Sequence, residues 1–492
     1  MILRQIVHVL MGRKFKILNV KKNLWTDPFK YCNTLFHTNF NKLNSVEETS
    51  ETLMNIVLDL PTPRNEKLSA KYKRSFAYPS MKDRVPVILS KLVDLLYREK
   101  QNIINIYGEG AEEELKTAIG EISQLKNHVQ TGKPFEKFSS SDPDTDIWNA
   151  DLEGFIKNGS KLNYYEAIWL FAECYLYRKI REIFATKSCL NILDPFFYQK
   201  SLLLTDSLPA IGPIMTHMEE EGLLDTSKSL SQKQLQEELT MLLKCTLWAN
   251  RLDLSLAGGT VEVQSDLLHQ VRNWDDNILV NDLERVSCLL VAVENSSKIV
   301  DYVTDNSGLE ILCDLFLADY LVSKCNVKQL NFRLKPIPWY VSDVMPKDFY
   351  QTVEAVRSSK NPIYRKFGER WQKHIDEGIW KVKVDLYWCL GKPYSDMVDS
   401  DPQLYKELSS SSLIIFKGDL NYRKLVQDIN WDPITPFSEA IGKFHPAPLV
   451  TLRTCKADVI CGLEKDLAEV MNAKYDDWLV SGNFAVVQFD SP

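Results

Sequence analysis

The chain is poor in the residues that build common metal and redox centres. Among its 492 residues there are only seven histidines, and no two stand at a metal-ligand spacing. A zinc centre of the usual His/Cys kind is therefore not expected. The ten cysteines, at 32, 174, 189, 245, 288, 313, 325, 389, 455 and 461, form no C-x-x-C pair. Several lie in apolar runs, as buried free thiols of a reducing compartment do, and they read as structural. No apolar run approaches the roughly 18 residues of a membrane span. Neither sign of charge dominates, since 59 basic residues against 66 acidic ones leave a net charge of -7. That balance gives no general electrostatic reason to bind nucleic acid or an anionic membrane, so an anionic ligand must be met locally. There is no Walker lysine loop, G-x-S-x-G elbow or H-E-x-x-H helix. Gly108 and Gly110 lack the third glycine of a dinucleotide fingerprint, and "LAGGTVEV" at 256–263 is too short to name a cofactor. The sequons at Asn158 and Asn295 read as chance matches, because no secretory signal accompanies them.

What is present suggests more than one region. A chain of this length exceeds what one core usually supports. Residues 1–65 read as a basic extension: up to residue 45 there are eight Lys/Arg and one acid, Asp27. This is the bias of a mitochondrial transit segment, and equally of a disordered basic tail. The expected compartment is the cytoplasm, with the nucleus also open to it and mitochondrial targeting the lesser alternative. Residues 66–246 read as helical, since "VPVILSKLVDLLYREKQNIINIY" and "KQLQEELTMLLKCTLWANRL" repeat an amphipathic period. From 247 to 492, short β-rich runs alternate with helical patterns: "NILVND", "KIVDYVTDN", "NFRLKPIPWYVSD", "SSLIIFKGD", "PLVTLRTCK" and "NFAVVQF". Such alternation predicts an α/β fold, a largely parallel sheet with helices on both faces, joined to an α-helical N-terminal domain.

Three of the apolar runs end in an acid, at Asp305, Asp343 and Asp419, and a fourth ends in Arg453-Thr454-Cys455-Lys456. In open parallel sheets the crevice beyond the carboxyl ends of the strands is where ligands bind, so these tips are expected to converge. Asp305, Asp343 and the amide oxygen of Asn306 form a hard, all-oxygen donor set suited to Mg²⁺ or Mn²⁺. Arg423 and Lys456 would supply cations for a phosphate, one as a planar fork and one as a compact charge. Taken alone, Asp305 before a helix reads more readily as an N-cap than as a ligand, and "KGDLNYRK" reads equally as a solvated turn.

Several longer stretches carry a resemblance: "LSAKYKRSFAYPSMKDRVP" (68–86), "DTDIW" (144–148), "LWANRLDLSLAGG" (247–259), "DNSGLEILCDLFLADYLV" (305–322), "KPIPWYVSDV" (335–344), "IFKGDLNYRKL" (415–425), "FHPAPLVTLRTCKAD" (444–458) and "FAVVQFD". The set resembles the metal-dependent damage-control phosphatase family, in the branch with an R-T-x-K motif that is also described as an acidic-residue or protein-glutamate methyltransferase. The likeness runs from about residue 68 to the end.

Residue by residue, the resemblance implies that Asp305, Asn306 and Asp343 bind metal. It implies that Asp305, Asn306, Asp419, Leu420, Asn421, Tyr422, Arg423 and Lys456 meet substrate, with Asp305 and Lys456 catalytic. It connects Glu310 and Asp343 with S-adenosylmethionine under the methyltransferase description. The implied activity is hydrolysis of small sugar phosphates such as fructose 1-phosphate and fructose 6-phosphate, with Mn²⁺ or Mg²⁺, and Ni²⁺ or Co²⁺ as alternatives. The rival is S-adenosylmethionine-dependent methylation of glutamates on a protein substrate. Attack on phosphorus by Asp305 and attack by water both remain open.

Overall fold

The computed structural model describes residues 57–157, 162–225, 227–257, 267–292 and 298–492; Cys32, Asn158, Asn295 and most of the basic extension lie outside these ranges. Seven strands form one sheet in the order β1-β7-β6-β5-β2-β3-β4. They are β1 (Ile278–Asn281), β2 (Lys298–Val303), β3 (Val327–Leu334), β4 (Trp380–Val384), β5 (Leu413–Lys417), β6 (Leu449–Thr454) and β7 (Ala485–Asp490). Neighbours pair in parallel except β6 with β7. The sheet is thus largely parallel, as the alternating pattern predicts.

Both faces of the sheet are covered, which is why β5 is buried at every position and reads as an unbroken apolar run. Ile414 and Phe416 face a core shared with the N-terminal helices, including α1 (Val85–Arg98) and α2 (Trp169–Ala185). Leu413 and Ile415 face the opposite core, shared with α3 (Gln232–Ala257) and α4 (Leu309–Lys324). The expected division at 246/247 falls inside α3, a helix that packs on α4 and β6. Helices from 66–246 therefore complete the cores of the sheet on both of its faces.

The expected tail border at 65/66 lies within packed chain. Leu58 bridges to Tyr72, and the Asn65 amide donates to the carbonyl of Asn430. Among the described residues no helix is long and apolar enough to cross a membrane.

One strand reading needs correction. β3 ends at Leu334, so Tyr340–Asp343 is not its tip. Pro336 and Pro338 lack the N–H groups a central strand requires, and the chain loops back to present Asp343. β4, with lysines alternating along a half-exposed edge, was not among the expected strands.

Candidate active site

The strand order fixes where a crevice opens. From β2 the chain moves to β3 and β4 on one side, then returns to β5 and β6 on the other. The switch point lies between β2 and β5, and ligands of doubly wound sheets bind beyond the carboxyl ends at such a point. Asp305 follows β2, and α5 (Gly418–Leu425) follows β5 directly.

Asp305 is not a helix cap. The N-cap of α4 is Gly308, at φ +87°, and no side chain caps that end. The carboxylate is almost fully buried beside Gly418, itself at φ +87°, where a Cβ would come within 2.0 Å of Asp305 Oδ2. Burial, then the charges of Glu310 and Asp343, push the Asp305 carboxyl well above the usual carboxylate range. Burial likewise pushes Asp343 up to about 6, against the pull of Lys335.

The Asn306 amide is oriented by its neighbours. Its Nδ2 donates to Asp305 Oδ2 at 2.7 Å and to Glu310 Oε2 at 3.0 Å, while its Oδ1 accepts from the Ser342 hydroxyl at 2.6 Å. The backbone brings Asp343 alongside, because Asn306 and Asp343 form an antiparallel bridge and the Val344 amide donates to the Asp305 carbonyl.

Two buried lysines stand behind the carboxylates. Lys335 Nζ pairs with Asp343 Oδ2 at 3.2 Å. Lys417 Nζ donates to Glu310 Oε1 at 2.8 Å and Asp314 Oδ1 at 2.9 Å, and these two charges hold its ammonium above the ordinary lysine value despite burial. Glu310 also accepts from Asn250 Nδ2, so each of its oxygens is engaged. Both lysines interrupt apolar runs in the sequence ("FRLKP", "IIFKGD"), which is the signal that could have marked them as buried cations needing acid partners.

Lys456 is different. It lies two residues past β6, half-buried, its stem passing Gly482, and among the described residues its ammonium has no hydrogen bond or ion pair. Burial lowers its pKa, while Asp305, Glu310 and Asp419 pull the other way and Arg84 reinforces the fall. Arg84, exposed at the end of a π-helical turn (Ser80–Arg84), is likewise unpaired among the described residues. Ser75 Oγ and the Phe76 amide donate to Asp458 Oδ2, which fastens the segment leading to Arg84 onto the Lys456 loop.

The structure thus gathers Asp305, Asn306, Glu310 and Asp343, with Asp419 and Lys456 at the same edge: the Lys456 amide donates to Asp419 Oδ1 at 3.1 Å, and Arg453 Nε to the same oxygen at 2.8 Å. The other side chains of 420–423 turn away. Leu420 packs in the core. Asn421 Nδ2 donates to the carbonyls of Lys417 and Thr304, and its Oδ1 accepts from Tyr394. Tyr422 is buried against Arg453 and Cys461. Arg423 is buried over the Trp169 ring, paired with both oxygens of Asp428 and with Glu173. Arg453 itself is inaccessible, and its NH1 and NH2 hold the carbonyls of Val459 and Ala457, shaping the loop that carries Lys456.

The donor chemistry fits a hard divalent cation. Asp305, raised by burial and by the charges of Glu310 and Asp343, and Asp343, raised by burial against the pull of Lys335, are carboxylates that a cation would stabilise. Because the Asn306 nitrogen is spent on two carboxylates, its oxygen is the atom left to ligate. Among the described residues no three His, Cys, Asp or Glu side chains form a self-sufficient metal cage. Mg²⁺-type sites of one or two carboxylates, completed by substrate phosphate and water, need none.

Known proteins resemble the chain over most of its length. The family model described as "Damage-control phosphatase ARMT1-like domain" matches residues 80–471. The chain is 38% identical over 440 residues to "Damage-control phosphatase ARMT1" of Danio rerio, covering 87% of this chain and 97% of that protein. It is 37% identical over 435 residues to the Homo sapiens protein of the same name, covering 86% and 98%. The crystal structure of a DUF89 family protein from Pyrococcus horikoshii aligns over 76% of this chain and 95% of its own, at 13% identity and a TM-score of 0.38, too slight a likeness to argue from. With a family model spanning most of its length and relatives at this identity over more than four-fifths of it, the chain belongs to the damage-control phosphatase ARMT1-like family.

Proposed function

We propose that this protein is a metal-dependent phosphatase of small sugar phosphates, fructose 1-phosphate and fructose 6-phosphate being the substrates to try first. The observation that carries the reading is one edge of the sheet where Asp305, Asn306 and Asp343 meet and where the negative charge of Asp305 acts on the unpaired ammonium of Lys456. The name shared by the relatives supports it. Asp305, Asp343 and Asn306 Oδ1 would hold the cation, which when bound neutralises phosphate charge and polarises the P–O bond.

The chain's own groups do the rest. Lys456 stabilises charge developing on the transferring phosphoryl oxygens. With Arg423 buried and paired, the second cation is Arg84, whose exposed guanidinium is free to meet the outer phosphate oxygens. The segment 418–423 contributes through its backbone: side chains 420–423 are engaged elsewhere, while the first-turn N–H groups of α5 have no acceptor within the helix. Lys335 and Lys417 offset the charge of Asp343, Glu310 and Asp314, which keeps these three acids tolerable in one buried region.

The methyltransferase reading is less well supported, because Glu310 is 1% exposed and its carboxylate is already filled by Lys417, Asn250 and Asn306. The experiment is a phosphate-release screen of sugar phosphates with chelated protein, with and without added Mn²⁺, run beside a methyl-transfer assay with S-adenosylmethionine. Mn²⁺-dependent release from a fructose phosphate is expected. Release unaffected by chelation, or methyl transfer alone, would overturn the proposal.

A further inference from the structure

The loop that delivers Asp343 is wound in an unusual way. Tyr340 and Val341 both have positive φ, +37° and +69°, and neither is glycine. For a β-branched residue this is an outlier. The Ser342 amide donates to the Tyr340 carbonyl at 2.8 Å, closing a three-residue γ-turn on Val341. Turns of this hand are strained and persist only where surrounding contacts impose them.

The contacts that impose it can be named. On one side Ser342 is fastened to the site: its hydroxyl donates to Asn306 Oδ1, and its carbonyl accepts from the Ser307 amide at 2.7 Å. On the other side Tyr340 is held by α2. Its ring stacks on Tyr177 with centroids 4.4 Å apart, and its hydroxyl donates to Glu173 Oε2 at 3.1 Å. Glu173 is buried and is itself held by Arg423, which is pinned by Asp428 and lies on the ring of Trp169. Trp169, Glu173 and Tyr177 are spaced by four and share one face of α2.

We infer that Tyr340, clamped by Glu173 and Tyr177 of α2, is a positioning residue that keeps the Val341 turn wound and thereby sets Asp343 and Ser342 against Asp305 and Asn306 for cation binding. Arg423 serves this clamp through Glu173. The inference rests on the proposed metal site. Groups that orient metal ligands from behind typically alter affinity by 10–100-fold when lost, and the clamp reaches Asp343 through the backbone of its own loop.

The test uses the full chain and two variants. Tyr340→Phe keeps the stack and removes the hydroxyl; adding Val341→Gly to it removes the steric objection to positive φ, so the turn stays wound with less help from the clamp. In Mn²⁺ titrations by calorimetry, Tyr340→Phe is expected to bind about tenfold more weakly than the parent, and the double variant to recover most of that loss. Melting of chelated Tyr340→Phe should be unchanged, a combination that a merely structural role for the hydroxyl does not produce. Wild-type Mn²⁺ affinity in Tyr340→Phe, or no recovery in the double variant, overturns the inference while leaving the metal site standing. No Mn²⁺ binding by the parent protein overturns the metal site and the clamp together.

Discussion

Gly418 stands so close to Asp305 that an added Cβ would lie 2.0 Å from the carboxylate Oδ2 and 2.2 Å from its Cγ. The backbone just after β5 and the side chain of Asp305 just after β2 leave no room here for a Cβ, and the glycine also adopts φ +87°. Gly418→Ala is expected to displace the Asp305 carboxylate and abolish phosphate release, because misplacement by about 1 Å can alone cost about a hundredfold in rate. The far-ultraviolet dichroism should remain that of the parent. Retained kcat/KM in a folded variant would show that Asp305 need not stand where it does.

Arg423 separates two roles that the sequence could not tell apart. A phosphate-binding arginine is expected to lower kcat/KM when removed and leave stability alone. The buried fork seen here, paired with Asp428 and Glu173, predicts a different result. Arg423→Gln leaves two buried carboxylates uncompensated, a change that typically costs about 3–5 kcal/mol. A large fall in melting temperature, measured with chelator present, is the expected outcome. An unchanged melting temperature with weakened substrate binding would restore the phosphate role.

That contrast shows what the sequence could and could not reveal. The βα unit at 298–324 was legible because its apolar run, Gly308 turn and 3.6-residue period are local. The helix nonetheless proved buried from Leu309 through Leu321, with Glu310, Asp314 and Asp319 inside it, since their partners Lys417, Arg370 and His374 lie far along the chain. Spacing conveyed that Asp305, Asn306, Asp343 and Lys456 could share an edge. It could not convey which cations face a ligand and which face an acid, because that depends on elements more than a hundred residues away, as Arg423 and Glu173 illustrate. Tyr340–Asp343 looked like a strand tip because its composition is β-rich, whereas its backbone is set by tertiary clamps on Tyr340 and Ser342.

In the proposed reaction Lys456 supplies a point charge to the substrate. Lys456→Met keeps most of the stem and removes the ammonium, a loss expected to cost about 3 kcal/mol of transition-state stabilisation, roughly a hundredfold in kcat/KM. Melting should change little, because no hydrogen bond or ion pair to the ammonium is broken among the described residues. Lys456→Arg should restore only part of the rate, since a larger planar fork must fit where a compact ammonium stood. Wild-type kcat/KM in the Met variant would remove Lys456 from the reaction.

Arg84 provides the sharpest test of how the N-terminal helices contribute to the site. It is exposed and unpaired among the described residues, so Arg84→Ala should leave the melting temperature unchanged. If the guanidinium meets phosphate only as part of substrate binding, KM should rise about tenfold while kcat is preserved, because uniform binding of ground and transition states affects KM alone. A second readout follows from charge. Burial lowers the Lys456 pKa, Asp305, Glu310 and Asp419 oppose it, and Arg84 adds to the fall. Activity that needs the ammonium should decline as pH rises through the Lys456 pKa. Removing the repelling guanidinium raises that pKa and should move the alkaline limb of the kcat/KM profile to higher pH. An Arg84 that merely decorates the surface would change neither KM nor the limb. A shifted limb with unchanged KM would place the guanidinium near Lys456 but out of reach of substrate.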